Sequence, residues 1–128
     1  MNEKTNVMRI LDKEKIQYKT YYYGDTEAIS GVDVAYVLNQ DERQVFKTIV
    51  TVSGNKKFYV FMLPVKEELD LKKCALAVEE KSIAMLPMKE LLPLTGYVHG
   101  GCSPIGMKKR FVTVIHESAK EFNTIIFS

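Results

Sequence analysis

The chain has 128 residues, 46% hydrophobic and 27% charged, the size and make-up of one soluble globular domain with a single core. A formal net charge of only +2 excludes a protein held to nucleic acid by a strong overall positive field. The longest apolar run, Phe58 to Leu63, falls far short of a membrane span, and Met1-Asn2-Glu3-Lys4 lacks a secretory apolar region, so a cytoplasmic protein with no membrane partner is expected.

In chain order, a helix is predicted near residues 5 to 15, where Val7, Met8, Ile10 and Leu11 form one apolar stripe. A strand at Tyr18 to Tyr23 follows, and Ser30-Gly31-Val32-Asp33 has the capping pattern that opens a short helix through Leu38. The clearest element is a hairpin, Phe46 to Val52 and Phe58 to Leu63, joined by Ser53-Gly54-Asn55. Asp70 caps a helix running to about Glu80, Ser82 to Met85 reads as a strand, and Pro87 starts a short helix through Leu92. Strands near Tyr97, at Phe111 to Ile115 and at Thr124 to Phe127 complete the chain. Strands outnumber helices and are joined partly by a hairpin, so strict βαβ winding is not expected. The pattern predicts an α+β fold: a curved, mainly antiparallel sheet or barrel with helices packed outside.

Gly100-Gly101-Cys102-Ser103-Pro104-Ile105-Gly106 stands out. Three glycines and a proline in seven residues set an unusual backbone path, and glycine lets backbone amides come close to a ligand. The cations Lys108-Lys109-Arg110 follow directly, a combination that suits a phosphate or a ribose, although an ordinary Gly-Pro turn with a solvated basic flank has the same composition. Lys56-Lys57, Lys72-Lys73 and Lys108 to Arg110 form one basic rim if the fold gathers them, and such a rim positions phosphates without reading sequence. As scattered solubilising charges they need no such role, the simpler reading for Lys56-Lys57 in a hairpin turn and the weaker one for Lys108 to Arg110 beside the glycine loop. In Phe46-Lys47-Thr48 a lysine sits within a strand pattern, either on its polar face or in a pocket that uses its charge.

The two cysteines, Cys74 and Cys102, have no CxxC or Cys/His spacing, so neither a metal site nor a disulfide framework is expected, and no cofactor is implied. Cys74 reads as a small core residue, whereas a loop cysteine such as Cys102, beside cations, has the setting of a nucleophile. His99 and His116 flank the same region without the Asp or Ser spacing of a triad.

Together, Phe46-Lys47-Thr48 and the Gly-Gly-x-Ser-Pro-x-Gly loop resemble the YbaK/EbsC family, free-standing relatives of the editing domain of bacterial prolyl-tRNA synthetases. Leu11 to Ile16 followed by Tyr23, Leu69 to Lys73, Thr95-Gly96-Tyr97-Val98 and Glu121 to Ile125 extend the resemblance over nearly all of residues 1–128, as one editing domain. It implies a deacylase that clears a wrongly attached amino acid, most simply cysteine, from the 3′ end of a mischarged tRNA(Pro), with prolyl-tRNA synthetase as a further partner. In that family reading Lys47 and Tyr23 are catalytic, Tyr23 with a register uncertain by one or two positions beside Tyr21 and Tyr22. Thr48, Gly100, Gly101, Ser103, Pro104 and Gly106 bind substrate, and the substrate's own thiol attacks its ester. The family position matching Cys102 is usually aliphatic, which speaks against Cys102 as nucleophile. Hydrolysis of alanyl-tRNA(Pro) by water and non-catalytic binding of a tRNA end or a synthetase are the alternatives. Family members typically continue beyond the residue matching Ser128 with a basic turn, an acidic residue and a closing helix. Lacking that segment, the chain is expected to expose apolar sheet surface, as a monomer or covered in a homodimer.

Overall fold

The computed structural model describes residues 4–21, 35–36 and 38–128. Thr5 opens α1 (Asn6–Lys13), its hydroxyl accepting the Met8 N–H at 3.2 Å. Lys4 and Tyr18 both bind the Asp12 carboxylate, which staples the segment after the helix back onto it.

The hairpin forms as the alternation predicts. Strands β1 (Phe46–Ser53) and β2 (Phe58–Pro64) pair antiparallel from Phe46↔Pro64 to Val52↔Phe58. Lys56, with φ of 62°, supplies the left-handed residue of the turn. Gly54 packs closely for a different reason, since a Cβ there would lie 2.8 Å from Ser82 Oγ and the serine hydroxyl would have to turn aside. Helix α2 (Leu71–Ala77) starts at Asp70, whose carboxylate accepts the N–H groups of Lys72 and Lys73. The short strand β3 (Ile83–Met85) lies antiparallel to the end of β1. Helix α3 (Met88–Thr95) follows Pro87, runs three residues beyond the predicted Leu92 and ends at Gly96, left-handed at φ of 88°. Strand β4 (Val112–Ile115) joins β2 in parallel, and a 3₁₀ turn at Glu117–Glu121 follows.

The sheet order is β3-β1-β2-β4, mixed but mainly antiparallel. Among the described residues it is open, the sheet rather than the barrel of the sequence expectation. Three predicted strands differ. Residues 18–21 carry no strand, and the rest of that segment, with the helix start at 30–34, lies outside the described residues. Tyr97 sits in a loop, because the left-handed Gly96 turns the chain away and the Thr95 hydroxyl accepts the Tyr97 N–H. Thr124 to Phe127 contributes one parallel bridge, Ile126 to Val45.

Two apolar layers sandwich the hairpin. On one face Tyr59 and Phe61 pack with Cys74 and Ala75 of α2 and with Ile83. On the other, Val50 and Val60 pack with Cys102, Leu91 and Leu94 of α3, and Tyr97 and Phe111. No helix among the described residues is long and apolar enough to cross a membrane.

Candidate functional site

Successive side chains of a strand point to opposite faces, so the pairing register assigns each β1 residue a side. Val50, paired with Val60, lies on the face covered by α3 and the glycine loop, and Thr48 shares its parity. Lys47, paired with Leu63, has the parity of Thr51, Tyr59 and Phe61 and belongs to the α2 face. Thr48 and the glycine loop are thus brought to one side of the sheet. Lys47 is not; it sits half-buried on the other.

The edge of β1 lies between them. The Phe46 N–H donates to Ile126 at 2.8 Å and the Val50 carbonyl accepts from Leu86 at 3.2 Å. The amide and carbonyl of Thr48 point to that same side, and no backbone partner for them falls among the described residues. Lys47 and Thr48 therefore flank a short stretch of strand edge from its two faces. Tyr23 lies outside the described residues.

The loop after α3 is shaped by side chains that a motif search passes over. Thr95, 1% exposed, donates its hydroxyl to the Leu91 carbonyl, and the Tyr97 hydroxyl donates to the Ile105 carbonyl. Burial raises the Tyr97 pKa. Gly106, at φ of 80°, is wedged against α1: a Cβ there would lie 3.0 Å from both Asn6 Nδ2 and the Tyr97 hydroxyl. Ser103 is 1% exposed, its hydroxyl accepting the Ile105 N–H at 3.2 Å. Both residues thus have full structural reasons for their identity, and Pro104 is half-buried beside them. The signal for these roles was Thr95-Gly96-Tyr97-Val98 leading into the loop.

Gly100 and Gly101 are different. Both are exposed. Gly100 needs its left-handed φ of 88°, but a Cβ at Gly101 would meet only Val98, at 3.8 Å and beyond, with no left-handed backbone. Among the described residues nothing requires glycine at 101, so the loop presents a wall without side chains there.

Cys102 lies against Val50 and Val60, 9% exposed, and burial pushes its thiol up to about 11. A thiol protonated at neutral pH and turned into the core is not a nucleophile. Cys74 is likewise buried, with a raised pKa of the same origin. His116 caps the 3₁₀ turn, its Nδ1 accepting the Ser118 N–H. It lines a cleft of about 270 Å³ with Glu42, Arg43 and Lys66, and a 3.0 Å Lys66–Glu42 ion pair spans that wall. Among the described residues no group of three or more His, Cys, Asp and Glu side chains is placed to hold a metal ion. The predicted basic rim is split, since Lys72 and Lys73 ride on α2 across the sheet from the loop bearing Lys108 to Arg110.

The pattern for the aminoacyl-tRNA editing domain matches residues 26–128. A protein of Enterococcus faecalis, named as a candidate Cys-tRNA(Pro)/Cys-tRNA(Cys) deacylase, EbsC, is 43% identical over 127 residues, covering 98% of this chain and 77% of that protein. The chain belongs to the aminoacyl-tRNA editing domain family. Its fold agrees with solved structures. The crystal structure of a hypothetical protein superposes with a TM-score of 0.86 over 95% of this chain and 80% of its own, at 16% identity. That of a candidate trans-editing enzyme for prolyl-tRNA synthetase gives 0.67 over 73% and 59%, at 23% identity. At such identities these two bear on the fold alone.

Proposed function

We propose that this chain is a trans-editing deacylase that removes cysteine from mischarged tRNA(Pro), by attack of the substrate's own thiol. The observation that carries the reading is the 43% identity to EbsC over nearly the whole chain. The local chemistry is compatible with it: the one cysteine of the glycine loop is buried, and burial raises its pKa, so that side chain is not set up to compete with the substrate's own thiol.

The ester joining an amino acid to the terminal ribose is already activated, and the protein's work is to position it and stabilise the oxyanion. The substrate sulfur bonds to the carbonyl carbon, the bond from that carbon to the ribose oxygen breaks, and the thiol proton ends on the departing ribose hydroxyl. In this reading Gly100 and Gly101 give the ribose a wall without side chains. Thr48 faces that wall from β1. Lys47 brings its charge round the β1 edge to the ester or the adjacent phosphate, the reach of a four-carbon stem allowing this. Tyr23 contributes a hydroxyl or a stacking surface.

Deacylation of cysteinyl-, seryl- and alanyl-tRNA(Pro) by the purified chain tests the reading. The cysteinyl ester is cleaved fastest and the seryl ester far more slowly, because a hydroxyl is a much weaker nucleophile than a thiol that is partly thiolate near neutral pH. Equal rates on the cysteinyl and seryl esters would show that water attacks, and no turnover on any would remove the enzymatic reading.

A further inference from the structure

Six of the eighteen lysines and arginines gather at one end of the sheet, although the net charge is only +2. Strand β2 starts at Phe58, just after the hairpin turn, and β4 runs parallel to it with Tyr59 beside Val112. The residues preceding these strands, Lys57 and Arg110, therefore come to the same end, and the Phe58 and Phe111 rings between them meet edge to face at 6.1 Å. Lys56 occupies the left-handed turn position. Lys108 lies against the C-terminal end of α3, its ammonium donating to the Pro93 carbonyl at 3.3 Å, where a helix favours a cation. Pro93, Phe58 and Lys89 line a shallow cleft of about 420 Å³ there. Lys56, Lys57, Lys89, Lys108, Lys109 and Arg110 are all exposed.

Two carboxylates interrupt this cluster. Glu90 lines the same cleft as Lys89. Glu80 is held by the Tyr59 hydroxyl and by Asn55. The six cations therefore outnumber the carboxylates found among them, and this end carries a local positive charge. A local concentration of exposed cations marks a place for a polyanion.

We propose that this hairpin end is where the base-paired part of the substrate RNA is held, by its phosphates and without reading sequence. The proposal rests on the editing reading for the identity of the RNA. Thr48 pairs with Met62, four residues along β2 from Phe58, which is about 13 Å. A duplex docked on the basic end thus leaves a short span to the bare loop and the β1 edge, and a single-stranded 3′ end crosses it. Exposed point cations flanking a paired aromatic base suit a phosphate backbone.

The test uses the full chain and an uncharged RNA hairpin ending in a single-stranded 3′ CCA, with binding followed by fluorescence anisotropy across a salt series. The variant Lys57→Ser/Lys109→Ser/Arg110→Ser is compared with Lys72→Ser/Lys73→Ser/Lys120→Ser, which makes the same charge change away from this end. We expect the first variant to bind about tenfold or more weakly, with the log–log salt slope reduced by about 2 to 3. The second should stay within about threefold of the parent chain. Equal weakening of both would reduce the effect to net charge, and no weakening of the first would place the RNA elsewhere. Either result overturns the proposal, as does parent-chain binding to phosphatidylserine vesicles but not to the hairpin. Because no deacylation is measured, a chain that binds through these residues but cleaves nothing would refute the enzymatic reading and leave this surface standing.

Discussion

Gly106 and Gly101 lie in one loop, but among the described residues only the first has neighbours and a backbone angle that demand glycine. Gly106→Ala puts a Cβ on a residue at φ of 80°, which costs an L-residue about 1 to 2 kcal/mol. That Cβ would also lie 3.0 Å from Asn6 Nδ2 and the Tyr97 hydroxyl and 3.3 Å from Ile10 Cδ1. Tyr97 is tied to the Ile105 carbonyl and cannot swing aside without losing that bond. Overpacking of this kind costs about 1 to 3 kcal/mol, so the total is about 2 to 5 kcal/mol and the melting temperature falls by roughly 10 °C or more. Gly101→Val meets neither penalty: the position is exposed, its φ is not left-handed, and the nearest neighbour is Val98 at ordinary contact distance. Its melting temperature should stay within about 2 °C of the parent. Circular dichroism melts and single-turnover deacylation separate the two. Gly106→Ala should lose activity only as far as it loses folded protein, while Gly101→Val should melt normally and turn over at least about tenfold more slowly, because a branched side chain stands where the ribose must approach. Parent-level turnover in Gly101→Val would refute the ligand-facing role of the loop and reduce it to a connection.

Lys47→Ala should remove most deacylation with little change in melting temperature, since a half-buried lysine adds little to the core; an active variant would cut Lys47 out of the mechanism. Cys102→Ser should keep its cysteinyl-tRNA turnover but lose about 1 to 3 kcal/mol in urea unfolding, from a hydroxyl buried against Val50 and Val60. Loss of turnover in a folded Cys102→Ser would make Cys102 the nucleophile. The Cys102 thiol, held up at about 11 when folded, loses its proton earlier in the unfolded chain. Its linkage contribution to stability is therefore present below the free thiol value and is lost as pH rises toward 11. Unfolding midpoints for the parent and Cys102→Ala should converge over that window, and a parallel pH course would contradict the burial. Glu80 has the opposite sign: the Tyr59 hydroxyl first, then Asn55, holds its carboxyl below the usual value. The advantage of the parent over Tyr59→Phe should be full above about pH 5 and shrink as pH falls below the ordinary carboxyl range. A gap that does not change with pH would show that the bond contributes through packing alone.

What was legible in the sequence was what local chemistry decides. The hairpin follows from period-2 alternation on both sides of a short turn, and α2 from Asp70 and the apolar positions behind it. The Tyr97 strand failed because an aromatic in a β-like context was serving the loop, its ring packed under Val50 and Val60 and its hydroxyl on Ile105. The Ile126 strand shrank to one bridge, with Ile126 packed on the cluster around Val45 and Val65. The site shows the same division. Reading residues 46–53 as a strand already sends Lys47 and Thr48 to opposite faces, but only the tertiary fold decides which face the glycine loop covers, and it covers Thr48's. A substrate held against Gly100 and Gly101 is therefore reached by Lys47 only where the strand ends as a barrier, at the edge toward which the Thr48 amide and carbonyl point. That requirement makes the length of the side chain at 47 matter as much as its charge. Replacing Lys47 by ornithine, which keeps the ammonium and shortens the stem by one methylene, should cost nearly as much activity as Lys47→Ala, whereas a lysine serving only as a local field would tolerate it.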